Sequence, residues 1–529
     1  MKAVVEKCDA GVEWDLEVDV LVVGAGACGL AAAIAAHDAG ASVAILEKRD
    51  RAGGNSSLST GSVPGAGSRF QRAAGIDDSA DRMIADLERT AGASELPHLT
   101  RVMACVSAEL CEWLVDTVDA RMALITDYCH VGHSVPRLHA PVSRRGQDLV
   151  DDLLAAVAKR DIPLATNNAV TTLFVDEAGA IVGAAVQGEG VESSRIGARA
   201  VILATNGFAA NRALVGQYCA EIAGAEYFGA LGSEGEAVLW GEQLGARLAN
   251  MQAYQGYAAV AYPHGSLLSW TTIEKGGILV NAEGARFGNE DLGYSGYARL
   301  VLAQQSPVYA IFDDRIKAIA SKEEEFQELV DHGGVKGSET VEGLAAKFGL
   351  PAHTLAQTLA DYNAAAGAAA VEAGANANTD ANANAKAEAN ANANANARAD
   401  ANANARADAK ADTNAAALNT AASTVIGAHG PMADAFARTR FGLAPLTGTL
   451  WICRVTPGLF HTQGGLAVDD NGRVLRTDGT PISGLYAGGG AAAGISGSHG
   501  ATGYASGNGL LTAIGLGYLA GRDIAKAIA

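Results

Sequence analysis

The chain has 529 residues, of which 49% are hydrophobic and 18% are charged, so its length predicts two or more domains. It carries 39 basic and 58 acidic residues, a net charge of −19, which argues against binding to nucleic-acid phosphates or to an anionic membrane surface. Seven scattered cysteines without a CxxC pair exclude a disulfide scaffold, argue against a zinc site and favour a reducing compartment.

The N-terminal segment has several charged residues and no apolar run of the kind found in targeting peptides. No stretch of the chain reaches the roughly 20 apolar residues that a transmembrane helix needs. We therefore expect a cytoplasmic protein without a transmembrane segment.

The first elements in chain order predict a β-α-β unit. Val20 to Val23 is typical of a buried strand, and Leu30 to Asp38 is typical of a helix built from small residues. Ser42 to Leu46 predicts a second strand, which ends at Glu47. The whole unit occupies fewer than 35 residues.

The following segments alternate between helical and strand patterns. Residues 75–160 are predicted to be mostly helical, whereas Thr172 to Gln187 and Ala198 to Ala204 are predicted to be strands. Gly276 to Asn281 predicts another strand, and the chain closes with a glycine-rich stretch and a helix within residues 484–529. These alternations predict an α/β protein.

Residues 365–425 are dominated by alternating alanine and asparagine. No large apolar residue occurs between Val371 and Leu418. Such a segment cannot bury enough surface to offset the entropy lost on ordering. We expect a disordered or loosely structured surface insertion and assign no chemistry to it.

A glycine motif joins the first predicted strand to the first helix. Gly24 suits the tight turn, Gly26 suits the close approach of a pyrophosphate, and Gly29 suits close helix–strand packing. The helix N-terminus offers free N–H groups to phosphates. Glu47 lies 18 residues after Gly29, where a carboxylate accepts hydrogen bonds from ribose hydroxyls. The pattern predicts a dinucleotide site.

Three further turns indicate that the dinucleotide is a flavin. The run 53–57 (Gly-Gly-Asn-Ser-Ser) suits a loop across a flavin diphosphate, and the turn 205–207 follows a predicted strand. The N-terminus of the last helix, near residues 507–510, can face the flavin edge on which negative charge builds during reduction. The predicted cofactor residues are Gly24, Gly26, Ala27, Cys28, Gly29, Glu47, Lys48, Gly53, Gly54, Asn55, Ser56, Ser57, Thr205, Asn206, Gly207, Gly489, Gly507, Asn508 and Leu510.

Together with the runs 276–281, 285–290, 461–466 and 484–489, these motifs resemble the FAD-dependent fumarate reductase/succinate dehydrogenase flavoprotein family, which includes the 3-ketosteroid dehydrogenases. The resemblance covers nearly all of residues 17–529 except the insertion. It implies an α/β fold with a discontinuous Rossmann-like FAD-binding domain and an α+β capping domain that closes over the substrate. The implied boundaries are residues 1–245 and 446–529 for the FAD-binding domain and residues 246–445 for the capping domain.

The resemblance also implies hydride transfer between flavin N5 and a carbon–carbon bond next to a carbonyl or carboxylate group. Succinate dehydrogenases attach FAD to a histidine soon after the Gly-Gly loop, but residues 50–70 contain none, so we expect noncovalent FAD.

Two departures from the family pattern bear on the substrate. Tyr257 stands where dicarboxylate-type members carry a histidine, and residues 499–508 lack the arginine that clamps a carboxylate in those members. Gly503-Tyr504-Ala505-Ser506-Gly507 instead resembles the Gly-Tyr-x-Ser-Gly segment of the Δ4-type 3-ketosteroid dehydrogenases. We therefore expect an apolar cyclic ketone or steroid-like substrate and an unknown electron acceptor or donor.

Desaturation of a ketone requires a group that moves the α-proton, and a tyrosine can serve as that acid or base. Tyr504 is the predicted acid/base, assisted by Ser506 and by Tyr294 or Tyr297. His461 occupies the position where dicarboxylate-type members place a histidine on the substrate, and it completes the predicted catalytic set.

His130, His133 and His139 lie in one loop region with Arg137. A metal site is conceivable there, but the rim of the active site or a solvated loop is the preferred interpretation, and no metal ligands are predicted.

Three other functions were weighed against ketone chemistry. The first is reduction of an unsaturated carboxylate such as fumarate or urocanate, and the second is a flavoprotein electron carrier without a substrate pocket. The third is a nicotinamide-dependent dehydrogenase, which would lack the C-terminal flavin motif. The sequence determines neither the exact substrate nor the direction of the reaction.

Overall fold

The computed structural model describes residues 3–8, 12–92, 94–126, 129–188, 193–371, 434–501 and 503–528. The chain forms two compact units. The first comprises Met1–Val260, Leu292–Gln305 and Thr456–Ala529, and the second comprises Ala261–Asp291 and Ser306–Val455. From residue 372 to the end of the segment at 425, the predicted Ala/Asn-rich insertion lies outside the described residues.

A mixed β-sheet forms the centre of the first unit. Four of its strands run parallel in the order Ser194–Leu203, Leu16–Val23, Val43–Leu46 and Leu164–Ala165. Val20, Leu21 and Val22 are fully buried, as expected for a parallel strand covered on both faces. The other strands of this sheet are Val4–Lys7, Asn168–Val175, Ile181–Gly188, Arg473–Leu475 and Pro481–Ala487.

The predicted strand over 172–187 is wrong in one respect, because the structure contains a hairpin there. Asn168–Val175 and Ile181–Gly188 pair antiparallel around a turn. Gly179 in this turn has φ +78°, and the side chain of Asp176 accepts a hydrogen bond from the Ala180 N–H at 2.8 Å. Both strands are apolar in composition, and only a short polar segment between them indicates the turn.

Helices cover the sheet of the first unit. The region 75–160 is mostly helical, as predicted, but the short strands Met122–Leu124 and Leu138–Pro141 interrupt it. The helices are Ala27–Asp38, Gly54–Ser57, Arg69–Ala73, Ala80–Ala91, Pro97–Asp116, Gly146–Lys159, Arg212–Tyr218, Glu236–Leu244, Gly293–Ala303 and Asn508–Ile528, with 3-10 turns at Ala220–Ile222 and Gly489–Ala491. Short strands are Val63–Pro64, Glu226–Tyr227, Leu248–Ala249, Gly465–Leu466 and His499–Gly500.

Helix Ala27–Asp38 packs closely against the last helix, Asn508–Ile528. A Cβ atom at Gly517 would lie 2.3 Å from the carbonyl oxygen of Cys28, and one at Gly521 would lie 2.4 Å from that of Ala32. The small residues of both helices thus permit the backbone contact that holds the glycine loop at the start of the first helix.

The second unit has its own antiparallel sheet. Ile278–Val280, within the predicted strand 276–281, pairs with Val308–Asp313, which pairs with the first half of Leu450–Thr462. Lys336–Ser338 pairs with the other edge of that long strand. From Thr456 onward the long strand belongs to the first unit, as do residues 252–260 of strand Gln252–Ala261. The helices of the second unit are Thr271–Glu274, Asp314–Ala320, Glu324–Asp331, Val341–Ala346 and residues 352–371, and Glu290–Leu292 forms a 3-10 turn.

A buried ion cluster holds the end of the second unit that follows the insertion. Arg286 contacts Glu290 at 2.5 Å and Asp434 at 2.6 Å, and Arg438 lies 3.3 Å from Glu290. Arg438 also donates hydrogen bonds to the backbone carbonyls of Gly277 and Ile273. Paired and hydrogen-bonded in this way, the buried charges avoid the desolvation cost of an isolated ion.

None of the helices in the described ranges has the length and apolar character needed to span a bilayer. All seven cysteines are free thiols.

Candidate cofactor cavity and active site

The glycine loop has the geometry that the motif predicts. Gly24 has φ +108°, and a Cβ atom there would lie 2.4 Å from the carbonyl oxygen of Ala204. A Cβ atom at Gly29 would lie 1.9 Å from the carbonyl oxygen of Gly24. At Gly26 a Cβ atom would make only ordinary contacts, the nearest atom being 3.7 Å away, and this glycine lines a cavity. Two glycines therefore serve close packing, whereas the third does not.

Glu47 is buried at the end of its strand, and each of its carboxylate oxygens accepts a hydrogen bond from a backbone N–H group. Oε2 accepts a hydrogen bond from the Ala25 N–H at 2.9 Å, and Oε1 accepts one from the Arg49 N–H at 2.8 Å. Each oxygen retains a second lone pair, so the carboxylate can also accept hydrogen bonds from ribose hydroxyls.

A cavity of about 840 Å³, including its solvent-open part, lies above this loop. Its lining comes entirely from the first unit and includes twelve predicted cofactor residues: Gly24, Gly26, Ala27, Cys28, Glu47, Lys48, Gly54, Asn55, Ser56, Thr205, Asn206 and Gly489. The Gly53–Ser57 turn is fixed by the hydrogen bond from the Gly53 N–H to the carbonyl of Ala25.

The other predicted cofactor residues, among those the structure describes, lie outside this lining. Gly207 is a packing residue, because a Cβ atom there would lie 2.3 Å from Thr462 Oγ1. Asn508 is buried at the start of the last helix, with its amide 3.4 Å from Ser496. The full set outside the lining is Gly29, Gly53, Ser57, Gly207, Gly507, Asn508 and Leu510.

Three buried polar atoms of the cavity lining lack a protein hydrogen-bond partner: Thr205 Oγ1, Trp240 Nε1 and the second carboxylate oxygen of Glu236. The first carboxylate oxygen of Glu236 pairs with Lys48, which also contacts Glu234 at 3.1 Å. Buried polar groups without a partner are costly, so their clustering around one cavity fits a large polar ligand such as FAD. Sequence reasoning missed Glu236 and Trp240, because they lie in an ordinary helix and belong to no motif.

A row of aromatic rings forms a second feature of the first unit. Tyr257 stacks on Phe460 with centroids 5.2 Å apart, and its ring also lies 5.2 Å from that of Tyr294. The ring of Tyr294 lies edge-on to that of Tyr504 at 5.5 Å. Segments distant in sequence thus bring four aromatic rings together, including that of the predicted acid/base.

The surroundings of the Tyr504 hydroxyl group change its pKa. Burial raises the pKa of Tyr504, and hydrogen bonds with Tyr294, the backbone of Gly507 and the side chain of Gln255 act in the opposite direction without cancelling it. The hydroxyl is therefore protonated near pH 7 and is positioned to give up or accept a proton. Sequence reasoning missed Gln255, which is buried in a strand and carried no recognisable signal.

The structure separates the remaining predicted catalytic residues. Tyr294, not Tyr297, approaches Tyr504, whereas Tyr297 is fully buried one helical turn away. His461 lies near the start of the last helix, with its Nδ1 3.3 Å from the carbonyl of Thr462, and burial lowers its pKa, so the ring is neutral. Ser506 is half-buried, and its backbone is bound by the loop that contains His133.

The histidine-rich loop is not a solvated surface. His133 and His139 are buried, and burial lowers the pKa of each to about 4. His139 Nε2 lies 2.9 Å from the hydroxyl of Ser68, and His133 contacts the buried Arg137. In the described ranges, no group of three or more His, Cys, Asp or Glu side chains is arranged to hold a metal ion.

These two histidines predict acid sensitivity. A histidine that is neutral when folded and has an ordinary pKa when unfolded binds protons preferentially in the unfolded chain between about pH 6.5 and 4, so stability falls as the pH falls through that window. At pH 5 the expected loss is on the order of 2 kcal/mol for each histidine. Thermal unfolding at pH 7 and pH 5 should show a smaller decrease for the double variant His133→Gln/His139→Gln than for the wild type. His353→Gln, at an exposed position, is the control and should keep the wild-type decrease.

Comparison with known proteins agrees with this site. The family model described as "FAD binding domain" matches residues 19–510. The chain is 28% identical over 515 residues to the NADH:fumarate oxidoreductase of Klebsiella pneumoniae (strain 342), covering 96% of this chain and 48% of that protein. The chain thus spans about half the length of that relative.

Two solved structures are similar over nearly the whole chain. The open conformation of a flavocytochrome c3 fumarate reductase has a TM-score of 0.72 at 26% identity and covers 97% of this chain and 79% of that one. The 3-ketosteroid-Δ4-(5α)-dehydrogenase of Rhodococcus jostii RHA1, in complex with 4-androstene-3,17-dione, has a TM-score of 0.69 at 25% identity and covers 98% and 99%. The predicted α/β class, with an FAD-binding fold, and the predicted family resemblance are both confirmed.

The match over residues 19–510, the glycine loop with its carboxylate and the cavity that this loop lines all lead to the same conclusion. The chain belongs to the FAD-binding family shared by fumarate reductases and 3-ketosteroid dehydrogenases, and it is an FAD-dependent oxidoreductase.

Proposed function

We propose that this oxidoreductase acts on the carbon–carbon bond next to the carbonyl of an apolar cyclic ketone or 3-ketosteroid-like substrate, with Tyr504 as acid/base. The observation that carries the proposal is the position of Tyr504 at the end of an aromatic row, where its ring lies edge-on to that of Tyr294 at 5.5 Å.

The aromatic row supports an apolar substrate. Phe460, Tyr257 and Tyr294 offer flat, largely apolar faces, which gain free energy by burying hydrocarbon rings. Tyr257 itself is 7% exposed and stacks within 6° of parallel on Phe460, so its ring is fixed within this aromatic row. A charged dicarboxylate would lose its hydration against such a surface without compensation.

The lack of an arginine in residues 499–508 supports the same choice. A guanidinium group binds a carboxylate through two parallel hydrogen bonds and cannot be replaced by a tyrosine or serine hydroxyl. Tyr504 and Ser506 occupy this segment instead, and their hydroxyl groups suit a neutral carbonyl or an exchanging proton.

The proton inventory is consistent with this chemistry. When bound, FAD supplies the two-electron redox partner for the carbon–carbon bond. Tyr504 donates its proton to the substrate carbon when the carbon–carbon double bond is reduced. In the opposite direction, its phenolate removes that proton as the double bond forms. Tyr294 and Gln255 act to lower the pKa of Tyr504 and so favour its phenolate form, although burial raises the pKa overall.

The decisive experiment compares two substrates on one enzyme. The protein is reduced anaerobically with dithionite and mixed with 4-androstene-3,17-dione or with fumarate, and the return of oxidised flavin absorbance is followed. We expect the ketone to react faster by at least about 100-fold, because a fumarate dianion finds no bidentate partner in the 499–508 segment. Faster reaction with fumarate would overturn the proposal.

Reduction of an unsaturated carboxylate is the competing function. It is favoured by the 28% identity to an NADH:fumarate oxidoreductase and by the neutral His461 near the last helix. The two-substrate comparison separates it from ketone chemistry directly, and urocanate is a third test compound.

We also propose that FAD is held without a covalent bond, because residues 50–70 contain no histidine for attachment. Acid precipitation should release the yellow colour into the supernatant as FAD, identified by chromatography against FAD and FMN standards. Colour that stays with the precipitated protein would show a covalent link.

The second unit, with residues of the predicted segment 246–445, is proposed to act as the substrate cap. Residues 246–260 and 292–305 of that segment belong to the first unit, whereas the second unit continues to Val455. The stretch 292–305 brings Tyr294 to Tyr504. The electron partner, a small-molecule substrate and a cytoplasmic location remain predictions of the sequence.

A further inference from the structure

Loop residues 131–133 bind the backbone of the segment that carries Tyr504. The Ser506 N–H donates to the carbonyl of Val131 at 3.0 Å, and His133 Nε2 lies 2.8 Å from the carbonyl of Ser506. A Cβ atom at Gly132 would lie 2.3 Å from the Cβ of Ala505, so this loop touches the segment with bare backbone. Both backbone polar groups of Ser506 are therefore bound by the one loop.

Arg137 determines which ring nitrogen of His133 carries the proton. Its Nη1 lies 3.2 Å from His133 Nδ1, and a guanidinium group can only donate hydrogen bonds. Nδ1 must therefore be the acceptor, which leaves the proton on Nε2. The Nε2–H group then donates to the carbonyl of Ser506. Burial keeps the ring neutral at pH 7, so this arrangement is the resting one.

Two buried carboxylates hold Arg137 in place. Asp78 accepts hydrogen bonds from Arg137 at 2.7 and 2.9 Å, and Asp86 accepts one at 2.8 Å. Asp86 also accepts hydrogen bonds from the backbone and hydroxyl of Ser134 at 2.8 and 2.7 Å. Arg137 is 1% exposed, so its position is set by these partners and not by solvent.

We propose that His133 is a positioning residue for the reaction: it holds the Ala505-Ser506 backbone and thereby fixes the position of Tyr504 beside Tyr294. This inference rests on the proposed role of Tyr504. A misplacement of about 1 Å can reduce turnover by as much as about 100-fold, because the reacting atoms no longer meet in the required geometry.

The test uses the FAD-loaded enzyme with three variants. His133→Leu removes the donor, whereas His133→Gln keeps an N–H at a similar reach from the backbone. His98→Leu is the matched control, because His98 Nε2 also lies 3.0 Å from a backbone carbonyl, that of Val468, away from this segment. Turnover with 4-androstene-3,17-dione, KM, FAD content and amide hydrogen exchange of the peptide 503–508 are measured for each.

We expect His133→Leu to lower kcat by about 10- to 100-fold with little change in KM or FAD content. The same variant should exchange the amides of 503–508 at least about tenfold faster, because the hydrogen bonds that hold Ser506 are lost or loosened. His133→Gln should keep most of the wild-type kcat and most of the wild-type protection of the 503–508 amides, and His98→Leu should resemble the wild type.

If the amides of 503–508 exchange at the wild-type rate in His133→Leu, the proposal is wrong, whatever the turnover. It is equally wrong if these amides exchange faster in His133→Leu while its turnover equals that of the wild type, provided that Tyr504→Phe does lower turnover. A failure of the proposed function is recognised separately, by wild-type turnover in Tyr504→Phe or by no reaction with the ketone. The exchange measurement then still decides whether His133 holds the segment.

Discussion

Replacing Tyr504 by phenylalanine should lower turnover with 4-androstene-3,17-dione by about 10²–10⁴-fold, the usual contribution of a positioned acid–base group. Phenylalanine keeps the edge-on packing against Tyr294, whose ring lies 5.5 Å away, and removes only the hydroxyl. FAD content and KM should therefore change little. Stopped-flow reoxidation of the dithionite-reduced enzyme measures the chemical step directly.

The pH dependence adds a second check on Tyr504. Because burial raises the pKa of this hydroxyl, the protonated form dominates through neutral pH, and the reductive direction should remain fast until the pH exceeds 10. Tyr504→Phe should abolish that alkaline limb. Tyr262→Phe, at a tyrosine 48% exposed, is the control. Near-normal turnover in Tyr504→Phe would move the search to Tyr294 and His461.

Replacing Gly26 by alanine should reduce FAD affinity by at least about tenfold while leaving the chain folded. Gly26 has φ −79°, which alanine adopts freely, and its Cβ atom would lie 3.7 Å from the nearest protein atom. The methyl group would nevertheless stand in the cavity above the helix N-terminus, where the pyrophosphate must approach. Each 1.4 kcal/mol of lost contact costs a factor of ten in affinity.

Gly29→Ala and Gly216→Ala complete this experiment. A Cβ atom at Gly29 would lie 1.9 Å from the carbonyl of Gly24, so this variant should lose folding stability as well as FAD. Nothing lies within 4 Å of a Cβ atom at Gly216, so that variant should behave as wild type. FAD occupancy from the absorbance ratio and thermal unfolding of the apoprotein separate the three outcomes. Full FAD occupancy in Gly26→Ala would contradict the assignment of Gly26 as the glycine that the pyrophosphate approaches.

The cofactor half of the molecule was largely predictable. Gly24, Gly26 and Glu47 lie close together in sequence, and the β-α-β unit around them is built from local contacts. Strand and helix periods specify such a unit without long-range information. Its observed elements, Leu16–Val23, Ala27–Asp38 and Val43–Leu46, begin within four residues of the predicted positions.

The active-site half was only partly predictable. Tyr504 was chosen from a motif, but the choice between Tyr294 and Tyr297 required the orientation of one helix. Gln255 carried no signal at all, because a glutamine in a strand is usually unremarkable. The sequence favoured the active-site rim or a solvated loop for the segment with His133, and the structure shows that His133 contacts the backbone of Ser506, 373 positions along the chain.

The sequence by itself determined the family, the cofactor class and the glycine geometry, because these depend on residues that are neighbours along the chain. Only the tertiary structure decided which residues surround Tyr504 and its segment, because Tyr294 approaches Tyr504 and His133 binds the backbone of Ser506 from separate parts of the chain. Hydrogen bonds and ring contacts act over a few ångströms in space and not along the sequence, so their partners became known only once the chain was folded.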